Sequence, residues 1–201
     1  MTNIFDKSGY SPLHYAAYKN IDKACQILIE FVINDDSMTQ GHLNGGSGET
    51  GDRFQLHKKN EKVRKENLQR WINIHSRGDD GFTALHFAAF HGNMNLIRLL
   101  VSHGADVNAQ NRQGINMLHV SAQGDNPVSL AYFLELDLDI NSRDFRKSTP
   151  LHWAAFSGAE LTLNYIIAWG GEVEAQDNKG LTPLHLAVKS YRENRSTRAI
   201  K

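Results

Sequence analysis

Polar and hydrophobic positions along this chain follow a pattern that returns every 33 residues. In each copy a leucine precedes a histidine, and a pair of mostly small residues begins two positions after it. The histidines that mark the copies are His14, His86, His119, His152 and His185. The last four are 33 residues apart, and the gap from His14 to His86 is 72 residues, one such step plus 39. A fixed period of this length indicates a solenoid of stacked repeats.

Each copy predicts a pair of short helices. Three residues before every histidine stands a serine, threonine or asparagine, which caps a helix start by accepting from its free N–H groups. A second apolar stripe at helical spacing follows eleven, fourteen and fifteen residues after the histidine. Its members are Cys25, Leu28 and Ile29; Ile97, Leu100 and Val101; Leu130, Phe133 and Leu134; and Leu163, Ile166 and Ile167. Gly104 and Gly170 then predict left-handed helix ends.

The pattern predicts an all-α fold, a solenoid of five stacked helix-turn-helix units joined by short β-hairpin loops, with one long insertion after the first repeat. The whole chain, 1–201, forms a single domain. The units are repeat 1 at about 9–34, repeat 2 at about 81–108, repeat 3 at about 114–141, repeat 4 at about 147–174 and repeat 5 at 180–201. Repeat 5 loses the pattern after Val188, and its last residues stand where a second helix is expected. Truncation of a longer protein and a polar terminal cap both fit this ending.

Three residues depart from the pattern within the later repeats. Asp137 replaces the glycine that ends a second helix, and Lys147 occupies the glycine position of a loop. Pro127 shifts a turn by one residue and can open a helix but not lie inside one.

The insertion, residues 35–72, divides into two parts. Residues 35–52 are rich in glycine and have no apolar periodicity, which is typical of a flexible surface loop. Residues 53–71 contain seven Lys or Arg and two Glu, a local excess of +5, with sparse apolar residues. We predict a partly formed, solvated helix that leads back to the repeats. Its basic run is either a solvated face or a weak contact with anionic lipid or an acidic segment.

Composition excludes several classes of protein. The formal net charge is zero, so no overall field directs the chain to nucleic acid. The single cysteine, Cys25, excludes an internal disulfide, fits a reducing compartment, and is predicted to be a small core residue rather than a reactive thiol. No apolar run approaches the roughly twenty residues of a membrane span, and the start lacks the layout of a signal peptide. We expect a cytoplasmic, monomeric protein.

The ten histidines do not predict a metal or catalytic site. The five that mark the repeats lie one unit apart, roughly 10 Å, whereas zinc ligands converge to about 2 Å from the metal. Such a histidine is expected to hydrogen-bond to the backbone of the loops. The chain also has no phosphate-binding loop and no Gly-x-Ser-x-Gly elbow. We therefore predict no catalytic, cofactor-binding or metal-binding residue, and no enzyme activity in these residues.

Residues 149–155, TPLHWAA, and 182–187, TPLHLA, resemble the core motif of the ankyrin repeat family. The resemblance implies that partners, an extended segment or a small domain, lie across the loop tips and the concave face of the first helices. The predicted partner-binding residues are Tyr10, Tyr18, Phe82, Phe90, Arg112, Gln123, Arg146, Trp153 and Phe156. Five of the ten concave-face positions, four before and four after each histidine, are aromatic, which is typical of an interaction site.

The alternative is that the insertion, or an extension of repeat 5, folds over this groove and covers its rings. Phe87 and Trp153 come directly after their histidines and are predicted to pack between units, with Trp153 reaching the groove edge.

A narrower resemblance concerns residues 119–190, which include the segments HVSAQGDNPVSLAYFL, LHWAAFSG and LTPLHLAVKS. They look like the ankyrin regions that precede membrane-embedded protein S-acyltransferases of the DHHC type. Trp153 is shared with that group. The resemblance implies a second function, the substrate-recruiting cytosolic arm of a palmitoyltransferase whose catalytic part lies outside these residues.

Overall fold

The computed structural model describes the backbone of residues 5–34 and 50–198 and the side chains of 5–34 and 61–191. Within these ranges the chain forms ten helices and no strand. They are α1 (Pro12–Tyr18), α2 (Asp22–Asn34), α3 (Thr50–Ile72), α4 (Ala84–His91), α5 (Met94–Ser102), α6 (Met117–Gln123), α7 (Pro127–Glu135), α8 (Pro150–Ser157), α9 (Glu160–Ala168) and α10 (Pro183–Arg198). The predicted all-α solenoid is confirmed.

The helices form two rows. The first helices of the units, α1, α4, α6, α8 and α10, each contact the next in that order. In the second row α2 contacts α5, and α7 contacts α9. Ala88 and Ala89 are fully buried between the rows and their neighbours, and their small side chains allow α4 to approach the helices on either side. The two rows place all first helices on one face of the molecule.

The predicted β-hairpin loops occur as tight turns rather than as strands. Each closes with a backbone hydrogen bond, as between the Asn111 N–H and the Ile115 carbonyl, at 3.0 Å. The Asp144 N–H and the Ser148 carbonyl repeat the same bond at 3.0 Å. A loop closed within five residues is too short for a ladder of paired residues, so no strand develops.

The predicted apolar stripes form the core, with one exception. Cys25, Ile97, Leu130 and Ile166 are fully buried. Burial raises the pKa of the Cys25 thiol to about 12, which keeps it protonated and agrees with its prediction as a small core residue. Ile167 is 45% exposed, because α9 has no second-row neighbour on its far side within the described residues.

Left-handed backbone occurs where the sequence pattern expects it, even without glycine. Gly104 follows the end of α5 with φ 92°, as predicted. Asp137 and Lys147, which replace glycine in repeats 3 and 4, adopt φ 65° and 62°. A lysine with left-handed backbone has a steric strain that a glycine there does not have, because glycine has no Cβ atom. Stacking of the units therefore determines the backbone here and overrides the local preference of the residue.

Helix α3 is longer and better packed than the sequence predicts. It runs for 23 residues, so the prediction of a partly formed helix is wrong. Its last turns are buried, with Leu68 at 8%, Trp71 at 5% and Ile72 at 2% exposure, and α3 packs against α2. The sparse apolar residues are sufficient because they cluster at one end of the helix. Of the loop predicted at 35–52, residues 35–49 lie outside the described residues, and residues 50–52 belong to α3 instead.

The end of the chain also differs from the prediction. No second helix begins after Val188 within the described residues, and α10 instead continues through Arg198. In repeats 2 and 4 the first helix ends at Gly92 and Gly158, both with left-handed backbone. Repeat 5 has Tyr191 at the equivalent position, so nothing there favours a turn.

None of the helices in the described part of the chain combines the length and apolar character that crossing a bilayer requires.

Candidate functional site

The tips of the loops form a regular edge along one side of the molecule. A backbone N–H at each tip donates to a carbonyl of the preceding tip. The pairs are Arg77 to Gly9 at 2.7 Å, Arg112 to Asp80 at 3.1 Å, Phe145 to Gln113 at 2.9 Å and Asn178 to Arg146 at 2.8 Å. Because these bonds run from unit to unit, they hold the tips at fixed spacing.

The repeat histidines connect each first helix to the next loop. The ring Nε2 donates to a carbonyl of the following unit, from His14 to Phe82 at 2.9 Å, from His86 to Ile115 at 3.1 Å, from His119 to Ser148 at 3.1 Å and from His152 to Leu181 at 3.0 Å. The other nitrogen, Nδ1, accepts the N–H of the cap residue three positions earlier, as at Thr83 and His86, 3.2 Å apart. The predicted bond to the loop backbone is confirmed.

The four histidines that form these links are neutral near pH 7. Burial lowers the pKa of His86 and of His119 to about 4, despite the opposing effect of the carbonyl that each ring contacts. Burial also lowers the pKa of His14 and of His152. In each ring Nε2 bonds to a carbonyl of the next unit and Nδ1 bonds to the cap residue, so these histidines are suited to joining units rather than to transferring protons. No three metal-ligating side chains converge within the described residues.

The predicted partner-binding residues lie on the concave face or, for Arg112 and Arg146, at the loop tips, and they differ in exposure. Tyr18 is 53% exposed, Phe90 38% and Phe156 45%. Arg112, Gln123 and Arg146 are also exposed, whereas Tyr10, Phe82 and Trp153 are half-buried. Two other positions predicted on this face, Ile115 and Ser148, are buried. The exposed rings therefore belong to repeats 1, 2 and 4.

Two depressions lie on this face. The first, of about 330 Å³, lies at the N-terminal end and is lined by Ser8, Tyr10, His14, Tyr15, Tyr18, Asp80 and Phe87. The second, of about 250 Å³, lies between repeats 4 and 5 and is lined by Asp144, Arg146, Ser148, His152, Trp153, Phe156, Asp177, Asn178, Lys179, Leu181, Leu186 and Lys189. Each holds two or more of the predicted residues.

Phe87 is the centre of the first depression and was not predicted as a binding residue. Its ring centroid lies 6.2 Å from that of Tyr10, 5.7 Å from that of Tyr18 and 5.7 Å from that of Phe82. Tyr15, 43% exposed, was also missed. Both residues come directly after a repeat histidine, the position that Trp153 holds in repeat 4. That shared position was the signal available in the sequence.

Trp153 has a fixed orientation in the second depression. Its indole N–H donates to Asp144 Oδ2 at 3.1 Å, and its ring lies 6.3 Å from that of His119, edge to face. Asp144 Oδ1 accepts from the backbone of Arg146 and of Ser148, both at 2.8 Å. Asp144 is thus occupied in holding the loop and the indole, which leaves Phe156 as the freely exposed ring of this depression.

The described part of the insertion does not cover the groove. Residues 61–72 of α3 pack against α2 in the second row, and they line neither depression. The alternative that this part of the insertion fills the groove is therefore wrong. Residues 35–49 lie outside the described residues.

Helix pairs in two rows, linked through histidines and an edge of bonded loops, define a repeat solenoid with an open concave face. The family profile described as ankyrin repeats (3 copies) matches two stretches of the chain, residues 56–144 and 129–197. These matches cover more than half of the chain, which belongs to the ankyrin-repeat family.

A curated relative is the serine/threonine-protein kinase TNNI3K of Mus musculus. It is 34% identical over 105 residues, which are 51% of this chain and 12% of the kinase. The chain therefore spans a small fraction of that relative, and the kinase activity is a property of that protein.

Proposed function

We propose that this chain is a non-catalytic interaction module that binds a segment of another protein across its concave face and loop tips. Ankyrin repeats are in general protein–protein interaction modules. The observation that carries the proposal is the exposure of Tyr18, Phe90 and Phe156 on one rigid face. Aromatic side chains that become buried on binding contribute much of the affinity of an interface.

The surface is prepared for binding before a partner arrives. The bonded loop tips and the histidine links hold the face in one arrangement, so little conformational freedom is lost when a partner binds. An extended segment fits this geometry, because the depressions lie in line along the first helices. We also expect the chain to act as a monomer in the cytoplasm.

The experiment is a selection of extended peptides from a displayed library against the immobilised chain. Peptides that bind are then titrated against Phe90→Ala and Phe156→Ala. We expect each substitution to weaken binding by about tenfold or more, the effect of losing a buried aromatic anchor. The melting temperature should stay within about 2 °C, because both rings are already exposed in the free protein.

Phe31→Ala is the matched control. Phe31 is an exposed phenylalanine, at 66%, but it lies on α2 in the second row, away from the concave face. It should leave peptide binding unchanged. Equal losses of binding in Phe31→Ala and Phe156→Ala, or a large loss of stability in the unbound Phe90→Ala or Phe156→Ala protein, would contradict the proposal.

A second function follows from the resemblance to the ankyrin arms of DHHC-type S-acyltransferases. It is supported by the position of Trp153, half-buried in the wall of the second depression beside the exposed Phe156. In this hypothesis the bound segment belongs to a substrate of a palmitoyltransferase. The coding sequence beyond codon 201 tests it. An Asp-His-His-Cys segment among several apolar spans supports it, and a polar continuation to a stop codon excludes it.

A further inference from the structure

We propose that the first depression, here called the ring pocket, receives the cationic side chain of a lysine or arginine in the partner segment. The ring pocket is formed by Tyr10, Tyr15, Tyr18 and Phe87, with Asp80 in its lining. The inference rests on the proposed function, since it states which residue the bound segment must contain.

The rings enclose the pocket on several sides. Tyr10 and Tyr15 lie 5.9 Å apart with an angle of 63° between their planes, and Tyr18 and Phe87 lie 5.7 Å apart at 80°. Rings set at steep angles present faces as well as edges to the space between them. A ring face attracts a cation within about 6 Å, and the attraction increases when several faces surround the cation and exclude water.

Most of the side-chain donors that line the pocket are already used within the protein. The Tyr10 hydroxyl donates to Asp80 Oδ2 at 2.9 Å, and the Tyr15 hydroxyl donates to Asp6 Oδ2 at 2.6 Å. His14 uses Nε2 to donate to Phe82 and Nδ1 to contact Ser11. Apart from the hydroxyls of Ser8 and Tyr18, which can also accept, the side-chain donors among the lining residues are already used within the protein. A lysine ammonium or an arginine guanidinium, which only donates, matches such a lining.

The charge of the site also favours a cation. Asp80 lines the pocket, and Asp6 lies at its rim through its bond to Tyr15. Hydrogen bonds from the Tyr15 hydroxyl and neighbouring backbone lower the pKa of Asp6, which keeps this carboxylate ionised. Burial and the bond to Asp80 raise the pKa of Tyr10 to about 12, which keeps its ring neutral.

The chain itself places a cation against this cluster. The Lys19 ammonium lies 5.3 Å from the centroid of the Tyr18 ring. The lining of the pocket, by contrast, contains no lysine or arginine. The second depression differs in charge, because Arg146, Lys179 and Lys189 line it. Its two carboxylates already accept hydrogen bonds, Asp144 from the Trp153 indole and Asp177 from the backbone of Lys179 and Leu181. A basic residue is therefore expected at the ring pocket and not at the other end, which would also set the direction of the bound segment.

The test uses small probes and does not depend on a known partner. The isotope-labelled chain is titrated with Nα-acetyl-lysine methylamide, whose side-chain ammonium is free, and with the corresponding arginine compound. Nα-acetyl-norleucine methylamide, which has a neutral side chain of similar length, is the third probe. Ring proton shifts of Tyr15, Tyr18 and Phe87 report binding in NMR spectra. We expect saturable shifts with the lysine or arginine probe and an affinity at least about fivefold weaker for norleucine, since only the cation interacts with the ring faces.

Tyr18→Leu and Phe31→Leu form the matched pair of variants. Both residues are exposed aromatic rings of repeat 1, at 53% and 66%, so neither change should unfold the chain. Tyr18→Leu should weaken binding of the cationic probe at least about fivefold, the loss expected on removing one cation–π face. Phe31→Leu, on α2 and away from the pocket, should leave binding of the probe unchanged. Equal binding of lysine and norleucine, or equal effects of the two variants, would overturn the inference.

The outcome is separable from that of the proposed function. If selected peptides bind the groove but contain no basic residue that depends on Tyr18, the inference is wrong and the proposed function stands. If the lysine probe binds the ring pocket while no peptide is selected, the pocket stands and the proposed function fails.

Discussion

The repeat histidines and the aromatic residues of the concave face follow the same 33-residue period but have opposite environments. His86 is 1% exposed and joins two units, whereas Phe90, one helical turn later, is 38% exposed. The same periodicity therefore specifies two different roles. The buried position stabilises the stack, and the exposed position remains available for a partner.

The strongest test of this comparison removes a central histidine. In His119→Ala the Asn116 N–H loses its partner, the Ser148 carbonyl keeps only the Asp144 N–H, and a cavity remains. We expect a loss of about 3 kcal/mol in the free energy of unfolding, measured by urea denaturation. His103→Ala is the control, because the His103 ring bonds only to Ser102 and Leu99 of α5. This variant should lose less than about 1 kcal/mol of the free energy of unfolding. Equal losses would show that the links between units contribute little.

Acid should weaken the stack through the same residues. The folded-state pKa of His86 and of His119 is lowered to about 4, below the ordinary value of 6.5, so the unfolded chain binds protons first as the pH falls. Their stabilisation is complete above about pH 6.5 and is lost between about pH 6.5 and 4, by about 1.4 kcal/mol per pH unit for each histidine.

Urea midpoints measured across this pH range provide the test. The urea midpoint should change less steeply with pH in His119→Ala than in the unmodified chain, because one histidine that couples proton binding to unfolding has been removed. An unchanged slope in that variant would mean that the acid sensitivity comes from other groups.

Phe87 tests the boundary between the two environments. Its ring is half-buried and contacts Tyr10, Tyr18 and Phe82. We expect Phe87→Ala to lower the free energy of unfolding by about 1–2 kcal/mol, less than for a fully buried phenylalanine. Phe156→Ala, at an exposed ring, should cost less than about 0.5 kcal/mol. If the two variants lost similar amounts of the free energy of unfolding in urea denaturation, the core and the concave face would not differ in their contribution to stability.

The smallest effect is expected at the surface pair of Arg143 and Glu172. Their side chains lie 3.1 Å apart and are 42% and 54% exposed. Exposed ion pairs contribute little, so Glu172→Gln should change the free energy of unfolding by less than about 0.5 kcal/mol, with the difference disappearing at high salt. A loss comparable to that of His119→Ala would show that loop contacts, rather than the histidine links, hold repeats 3 and 4 together.

The sequence alone determined the repeat, the helix starts and the role of the histidines. These features depend on contacts within three or four residues, such as the cap residue and its histidine, or on a position repeated in every unit. The same reasoning placed Tyr18, Phe90 and Phe156 on one face. It did not identify Tyr15 and Phe87, because the residue after each histidine varies among Tyr, Phe, Val, Trp and Leu and has no fixed environment.

Only the tertiary structure decided the rest. Leu68, Trp71 and Ile72 are core because α2 lies beside the end of α3, and no local pattern shows that neighbour. The ring pocket likewise combines residues from repeats 1 and 2 that are about seventy positions apart, as the bond from Tyr10 to Asp80 shows. Local periodicity specifies which face a residue occupies on its own helix, but burial and the shape of a site depend on which units pack together in space.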